Sequence, residues 1–236
     1  MKRSKRYRAL LSKVKEKDIY PLAEAIKKVK ELANAKFNES VDVAIRLGCD
    51  PKKQEQMVRG TVALPYGTGK EVKVLVLTKG EKEKEAKEAG ADYVGFEEYI
   101  EKIKGGWLDF DVLVATPDAM PEVSKMGKIL GPKGLMPSPK TGTVTFDVGA
   151  AVKSLKAGKI QFKMDKTGNV HALIGKVSFE PEKLEKNLLA LIAELIRLRP
   201  PTVKGQYIRA GYIASTMGPS FRLDVKELQE LVRKEC

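Results

Sequence analysis

The stretch Leu64-Pro65-Tyr66-Gly67-Thr68-Gly69-Lys70 divides the sequence into two kinds of chain. Before it, apolar residues alternate as in half-buried strands. After it, short apolar runs suited to strands buried on both faces alternate with charged helical segments. Gly-Thr-Gly-Lys invites a phosphate-loop reading, but that motif needs Gly, four residues, then Gly-Lys-Ser/Thr, and here Glu71 follows Lys70. Flexible glycines beside a rigid proline read instead as a hinge near residues 64–70, with a second crossing expected at 157–159, Ala157-Gly158-Lys159.

Upstream of the hinge, Pro21 sits where a first helical residue is tolerated, and Leu22, Ala25, Ile26, Val29, Leu32 and Ala33 recur at helical spacing. Lys36-Phe37-Asn38-Glu39-Ser40 then leads into Val41 to Leu47, which alternates as a half-buried strand, and a second strand is expected over Met57 to Leu64. Phe37 reads either as an apolar residue packing the helix end onto the sheet, or as an aromatic beside a cation at the edge of a basic surface. The N-terminal arm, with Lys2, Arg3, Lys5, Arg6 and Arg8 followed by Lys13, Lys15 and Lys17, is a solvated tail or lies along phosphates.

Downstream, strands are expected at Val72 to Leu77, Tyr93-Val94, Val112 to Ala115 and Thr143 to Phe146. Helices are expected at Glu81 to Ala89, Glu97 to Lys104 and Val148 to Lys156, with another carrying Met120, Val123 and Met126 behind a cap at Thr116-Pro117-Asp118. The loop Gly131 to Lys140 lies between the last helix named and the strand at Thr143. This alternation indicates a three-layer α/β unit, Rossmann-like in architecture. The turn Thr78-Lys79-Gly80-Glu81 lacks a glycine fingerprint, and acidic residues at the start of its helix would repel a pyrophosphate.

After Gly158 the antiparallel character returns. Ile160 to Met164, the turn Asp165-Lys166-Thr167-Gly168-Asn169 and Val170 to Val177 read as a hairpin. Pro181 opens a helix with Leu184, Leu188, Leu191, Ile192 and Leu195 on one face, ended by Arg199-Pro200-Pro201. A strand over Gln206 to Ala214 runs into Ser215-Thr216-Met217-Gly218-Pro219-Ser220, whose Gly-Pro pair forces a turn that exposes Thr216 and Met217, and Val225 to Lys234 is a terminal helix. Neither outer segment alone has enough sheet to close a core. The expected fold is therefore an α+β split domain, an antiparallel sheet with two helices built from residues 1–66 and 158–236, interrupted by an inserted three-layer α/β, Rossmann-like domain over residues 67–157.

Charge follows the same division. The 236 residues carry 44 Lys and Arg against 31 Asp and Glu, a net of +13. Residues 67–157 hold 14 of each sign, so the whole excess lies in the two outer segments and favours a polyanionic partner there. No apolar run approaches the roughly 18 to 20 residues of a membrane helix and no secretory signal opens the chain, so a cytoplasmic protein is expected. Cys49 and Cys236 give no disulfide framework, and a single histidine, His171, excludes a histidine-rich metal site and leaves a catalytic triad one possible base. No catalytic residue, metal or cofactor is expected; a nucleotide-using enzyme built on the inserted domain is the competing reading.

Four motifs occur together and in order: Lys36-Phe37-Asn38-Glu39-Ser40, the Gly131 to Lys140 loop, Asp165-Lys166-Thr167-Gly168 with His171, and Thr216-Met217-Gly218-Pro219. In this the sequence resembles the bacterial large-subunit ribosomal protein L1 family, the proteins of the mobile lateral stalk, from the N-terminal arm to about Asp224. The resemblance implies a protein that binds a stalk of large-subunit ribosomal RNA, assists movement and release of deacylated transfer RNA, and represses its own operon by binding messenger RNA. It also implies a monomer off the ribosome with no membrane partner. Carried over position by position, Lys36, Phe37 and Ser40 form the first RNA-contacting element, Lys166, Thr167 and Gly168 with His171 the second, and Thr216, Met217 and Gly218 the third. Arg3, Lys5 and Arg6 would add unspecific attraction to phosphate. Ser40 stands where the family more often has Thr, Leu173 replaces a usual Pro, and Ser138 a usual Asn.

Overall fold

The computed structural model describes residues 4–14, 19–78 and 82–235. The chain forms two compact units, one from Met1–Gly69 with Ile160–Cys236 and one from Lys70–Lys159. Among the described residues no helix is long and apolar enough to cross a membrane.

The first unit opens with a helix inside the basic arm, α1 (Lys5–Leu11), which the charge pattern does not announce. Ser4 caps it, its hydroxyl accepting from the Tyr7 N–H at 3.2 Å, and Leu10 anchors it in the core. Lys2, Arg3, Lys15, Glu16 and Lys17 lie outside the described residues. Next come β1 (Ile19–Tyr20), α2 (Leu22–Leu32), β2 (Ser40–Leu47) and β3 (Arg59–Ala63). Pro21 is the N-cap of α2, one residue earlier than its expected place inside the helix.

The second unit contains β4 (Val74–Leu77), α3 (Lys82–Glu88), β5 (Tyr93–Gly95), α4 (Glu97–Lys104) and β6 (Val112–Ala115). Then follow α5 (Met120–Lys125), α6 (Gly127–Leu130) and α7 (Val148–Lys156). Its sheet is parallel, in the order β5-β4-β6. Alternation along β4 sends Leu75 and Leu77 into a core with Ile100, Val123 and Leu130, and Val74 and Val76 into a second core with Ala86, Val148 and Val152. Helices therefore cover both faces. The strand expected over Thr143 to Phe146 shrinks to one parallel bridge, Ala115↔Val144, because the Thr141 and Thr143 hydroxyls and the Ser138 backbone tie this segment into a loop. Thr116 precedes a short 3-10 turn over Pro117–Ala119 but caps it with no side-chain bond. Lys79, Gly80 and Glu81, in the turn read against a nucleotide, lie outside the described residues.

The chain returns through β7 (Lys159–Lys163), β8 (Asn169–Lys176), α8 (Pro181–Arg197), β9 (Ile208–Ser215), β10 (Ser220–Leu223) and α9 (Val225–Glu235). The five-stranded sheet of the first unit runs β1-β10-β9-β2-β8. Its edge strand β1 pairs parallel with β10 and the remaining pairs are antiparallel. The first unit therefore carries four helices and one parallel edge, where an antiparallel sheet with two helices was expected. The hairpin read at residues 160–177 also does not form. β7 pairs with β3 in a separate two-stranded ribbon, and one bridge, Met164↔Val170, joins its end to β8. Gly60 permits close packing on the ribbon. Its bare backbone lets Phe162 and Leu198 close on β3 where a Cβ would stand 3.1 Å and 2.4 Å from their atoms.

One face of the five-stranded sheet packs on α2, α8 and α9 around Val41, Val43, Ile45, Leu188, Ile192 and Phe221, all buried. Within this apolar layer lies a fully buried amide. Asn187 accepts from the Tyr66 N–H at 3.1 Å and donates to Gly67 O at 2.9 Å and Ile174 O at 2.8 Å, fastening the departing chain to α8 and β8. An apolar replacement removes the partner of three backbone groups, of which the Ile174 carbonyl is bonded in the buried interior. Asn187→Leu should cost about 2–4 kcal/mol in urea unfolding; a cost below about 0.5 kcal/mol would mean water replaces the amide.

Candidate nucleic-acid interface

Between α2 and β2 the chain turns sharply, leaving Lys36 exposed and Phe37 half-exposed at 51%, so Phe37 does not pack the helix end onto the sheet. What shapes this loop is Glu39, which is 2% exposed. One carboxylate oxygen accepts from the Ala35 N–H at 3.0 Å, and the other accepts from the Met217 N–H at 2.9 Å. Burial alone would push this carboxyl up. The Met217 and Ala35 amides and the nearby Arg6 charge outweigh that, and hold it below the usual carboxylate range.

Ser40 begins β2 directly behind Glu39 and meets the end of β9. Its N–H donates to Thr216 Oγ1 at 2.9 Å, and its carbonyl accepts from the Thr216 N–H at 3.0 Å. The Ser40 hydroxyl accepts from Lys176 Nζ at 2.7 Å. Gly218 closes the β9–β10 turn at a point where a Cβ would stand 2.4 Å from Ser215 Oγ, so a side chain there would have to displace that hydroxyl. Met217 stays 48% exposed. Arg6 reaches in from α1, donating to Asn34 Oδ1 at 2.7 Å and to the Met217 carbonyl at 2.9 Å. Arg6, Lys36, Phe37, Ser40, Thr216, Met217 and Gly218 thus share one site, and Lys5 is exposed on the same helix as Arg6. Arg3 lies outside the described residues.

Lys166, Thr167 and Gly168 do not join them. Antiparallel register pairs Ser40 with Lys176 and Arg46 with Asn169, and the Leu47 N–H donates to Gly168 O at 2.9 Å. The second element therefore sits at the opposite end of β2, roughly 20 Å away at about 3.4 Å per residue. Asp165 organises it, accepting from the Asn169 N–H at 2.8 Å, the Thr167 N–H at 2.8 Å and the Thr167 hydroxyl at 2.7 Å. These bonds, the Asn169 amide first, hold the Asp165 carboxyl far below the usual range. Gly168 takes φ 84 in this turn, a left-handed conformation suited to glycine.

His171 stands beside the second element, on the open face of the sheet. It faces solvent with Nε2 3.6 Å from Asp165 Oδ2. Strand register places it in one row with Ala44, Tyr212, Arg222 and Ile19 across the five strands. That row lies on the face opposite α2, α8 and α9, and Tyr212, Arg222, His171 and Ile19 are all exposed. The open face joins the two ends. Glu39, Lys176, Tyr212 and Arg222 were not singled out from sequence; a buried carboxylate ahead of a strand carries no signal until its amide partners, 178 residues away in the case of Met217, are in place. Among the described residues no group of three Asp, Glu, His or Cys is arranged to hold a metal ion.

Residues 29–219 match the model of the ribosomal protein L1p/L10e family. The chain belongs to this family. It is 57% identical over 219 residues to the large ribosomal subunit protein uL1 of Chlorobaculum tepidum, spanning 93% of this chain and 95% of that protein. The large ribosomal subunit protein uL1 of Chlorobium chlorochromatii is 56% identical over the same length, 93% of this chain and 96% of that protein. As a member of the L1p/L10e family the protein is a structural ribosomal protein and not an enzyme, which removes the nucleotide-using reading of the inserted unit.

Because the Glu39 carboxyl is held below its ordinary range, its contribution to stability is present above about pH 4.5 and is lost as pH falls through the lowered folded value. Glu39→Gln can satisfy only one of the two amides through oxygen, so urea unfolding at neutral pH should show a loss of about 1–3 kcal/mol. The gap between the two proteins should narrow on acidification below about pH 4.5. An equal gap at pH 7 and pH 3 would remove Glu39 from this role.

Proposed function

We propose that the protein binds a stalk of large-subunit ribosomal RNA through its first unit, on the cytoplasmic ribosome. The observation that carries this is the lock among Glu39, Ser40 and Thr216. It fixes the exposed Lys36-Phe37 loop beside the exposed Thr216-Met217-Gly218 turn, in the part of the chain that holds all the excess positive charge. Folded RNA is recognised by shape, phosphate and 2′-hydroxyl, which calls for preset amides, short hydroxylated side chains, a few cations and an aromatic or apolar surface. This site has each of them. Gly218 permits close approach of backbone, Met217 supplies an adaptable apolar surface, and Phe37 a ring face.

The same site serves a messenger-RNA fold like the stalk, which gives repression of the protein's own operon by competition between the two RNAs. The second unit, near neutral since residues 67–157 hold 14 charges of each sign, is carried by the first. Its two crossings include Gly67 at φ 66, Gly69 at φ 70 and Gly158 at φ 103, and act as a two-stranded hinge through which the protein assists movement and release of deacylated transfer RNA. Off the ribosome the protein is a monomer.

Thr216→Val removes the hydroxyl that accepts from Ser40, and Met217→Asp sets a carboxylate against phosphate. Each should weaken binding of a stalk RNA hairpin about tenfold or more in filter-binding titrations, with an unchanged circular-dichroism spectrum. Wild-type affinity in both variants, or equal binding of an unrelated duplex at moderate salt, would overturn this reading.

A further inference from the structure

At the far end of β2 from Thr216 the surface opens into a cleft of about 470 Å³. Its walls carry Arg46, Lys204 and Arg209 against a single carboxylate, Asp50, and the hydroxyl-bearing Thr167 stands at its rim. Among the described residues, Arg46, Lys204 and Arg209 form no ion pair, so the cleft keeps a net positive charge that its own side chains do not neutralise. Two backbone features build it. The β2–β9 register slips between Arg46↔Ala210 and Leu47↔Ile208, leaving Arg209 as the extra residue of a bulge, a device that re-aims a side chain out of the ladder. Gly48 lies beneath it, where a Cβ would come 3.3 Å from Arg209 Nε and 2.3 Å from Gln206 O, so a side chain there would crowd the arginine.

We infer that this cleft is a phosphate-binding site, and that its occupant is a phosphodiester of the RNA backbone held by Arg46 and Arg209 with Lys204 as a third charge. Two guanidinium groups and an ammonium lining one cleft suit a tetrahedral oxyanion. The inference rests on the RNA-binding reading above and extends it. RNA anchored at Thr216 is gripped again about 20 Å away, after crossing the open face that carries Tyr212 and His171.

The test uses the full chain and a stalk RNA hairpin across a potassium chloride series. Arg46→Ala with Arg209→Ala should make the log–log salt dependence of affinity shallower by about 0.7–0.9, the value for the one phosphate no longer neutralised, while the paired Arg→Lys variant keeps the wild-type slope. Lys204→Gln, on an exposed side chain, takes one of three charges from that phosphate and should make the slope shallower by about 0.2–0.3, which decides the matter if the double variant does not fold. An unchanged slope in folded variants, with wild type binding the hairpin and Thr216→Val weakened, would overturn the cleft alone; failure of wild type to prefer the hairpin would overturn the underlying reading and the cleft with it. Amide shifts at Gly48 and Thr167 that saturate with inorganic phosphate but do not move with RNA would overturn the RNA assignment in favour of a free-phosphate site.

Discussion

Everything in the first unit depends on β2 finding both of its neighbours. Ser40–Leu47 pairs on one edge with Asn169–Lys176 and on the other with Ile208–Ser215, each more than 120 residues away in sequence. No local segment offers β2 a partner, so its buried Val41, Val43 and Ile45 reach a core only after the whole insertion has been spanned. Closing so long a loop is slow, although its entropic cost grows only logarithmically with length. The second unit has its own parallel sheet and two cores of its own, so the long excursion is a structured one.

The register that closes the core also lays out the interface. Pairing Val41 with Ser215 brings the end of β9 against the start of β2, so that Ser40 and Thr216 exchange bonds and Glu39 can reach the Met217 amide. The same antiparallel logic sends the Asp165–Asn169 turn to the other end of the strand. A buried carboxylate is costly unless its oxygens are met by donors, and here two backbone amides meet them while the nearby Arg6 charge favours the ionised form. The side chains facing solvent at the Thr216 end, Phe37 and Met217, are therefore held by a network centred on a carboxylate that is itself out of water. Such an arrangement presets the loops before a partner arrives, which spares the ordering cost on binding.

Periodicity made much of the fold legible. The helix at Val148–Lys156 has the bounds expected from its apolar spacing, and the run at Val72 to Leu77 contains β4, buried along its whole length. Pattern failed where pairing was contested. Residues 160–177 have every local mark of a hairpin, yet β7 pairs with β3, where Gly60 lets Phe162 and Leu198 pack close on the backbone. Thr143 to Phe146 has strand-like composition, but hydroxyl bonds to Ser138 hold the segment in a loop. The α1 helix was hidden because a run of Lys and Arg reads as solvated chain, and its anchor, Leu10, has meaning only against a core built elsewhere.

By itself the sequence determined which residues are exposed at the Thr216 turn, which segments of the chain carry the excess charge, and most of its helices and strands, since these follow from composition and from periods of two and 3.6 residues. Only the tertiary structure decided which of the marked residues meet. Lys36, Phe37, Ser40 and Thr216 to Gly218 converge, Lys166 to Gly168 stand a strand's length away, and Glu39, Arg46 and Arg209 gain roles that no local pattern announced. The reason is physical: strand register and a one-residue bulge set distances over more than 100 residues of chain, and neither is encoded in the neighbourhood of the residues it brings together.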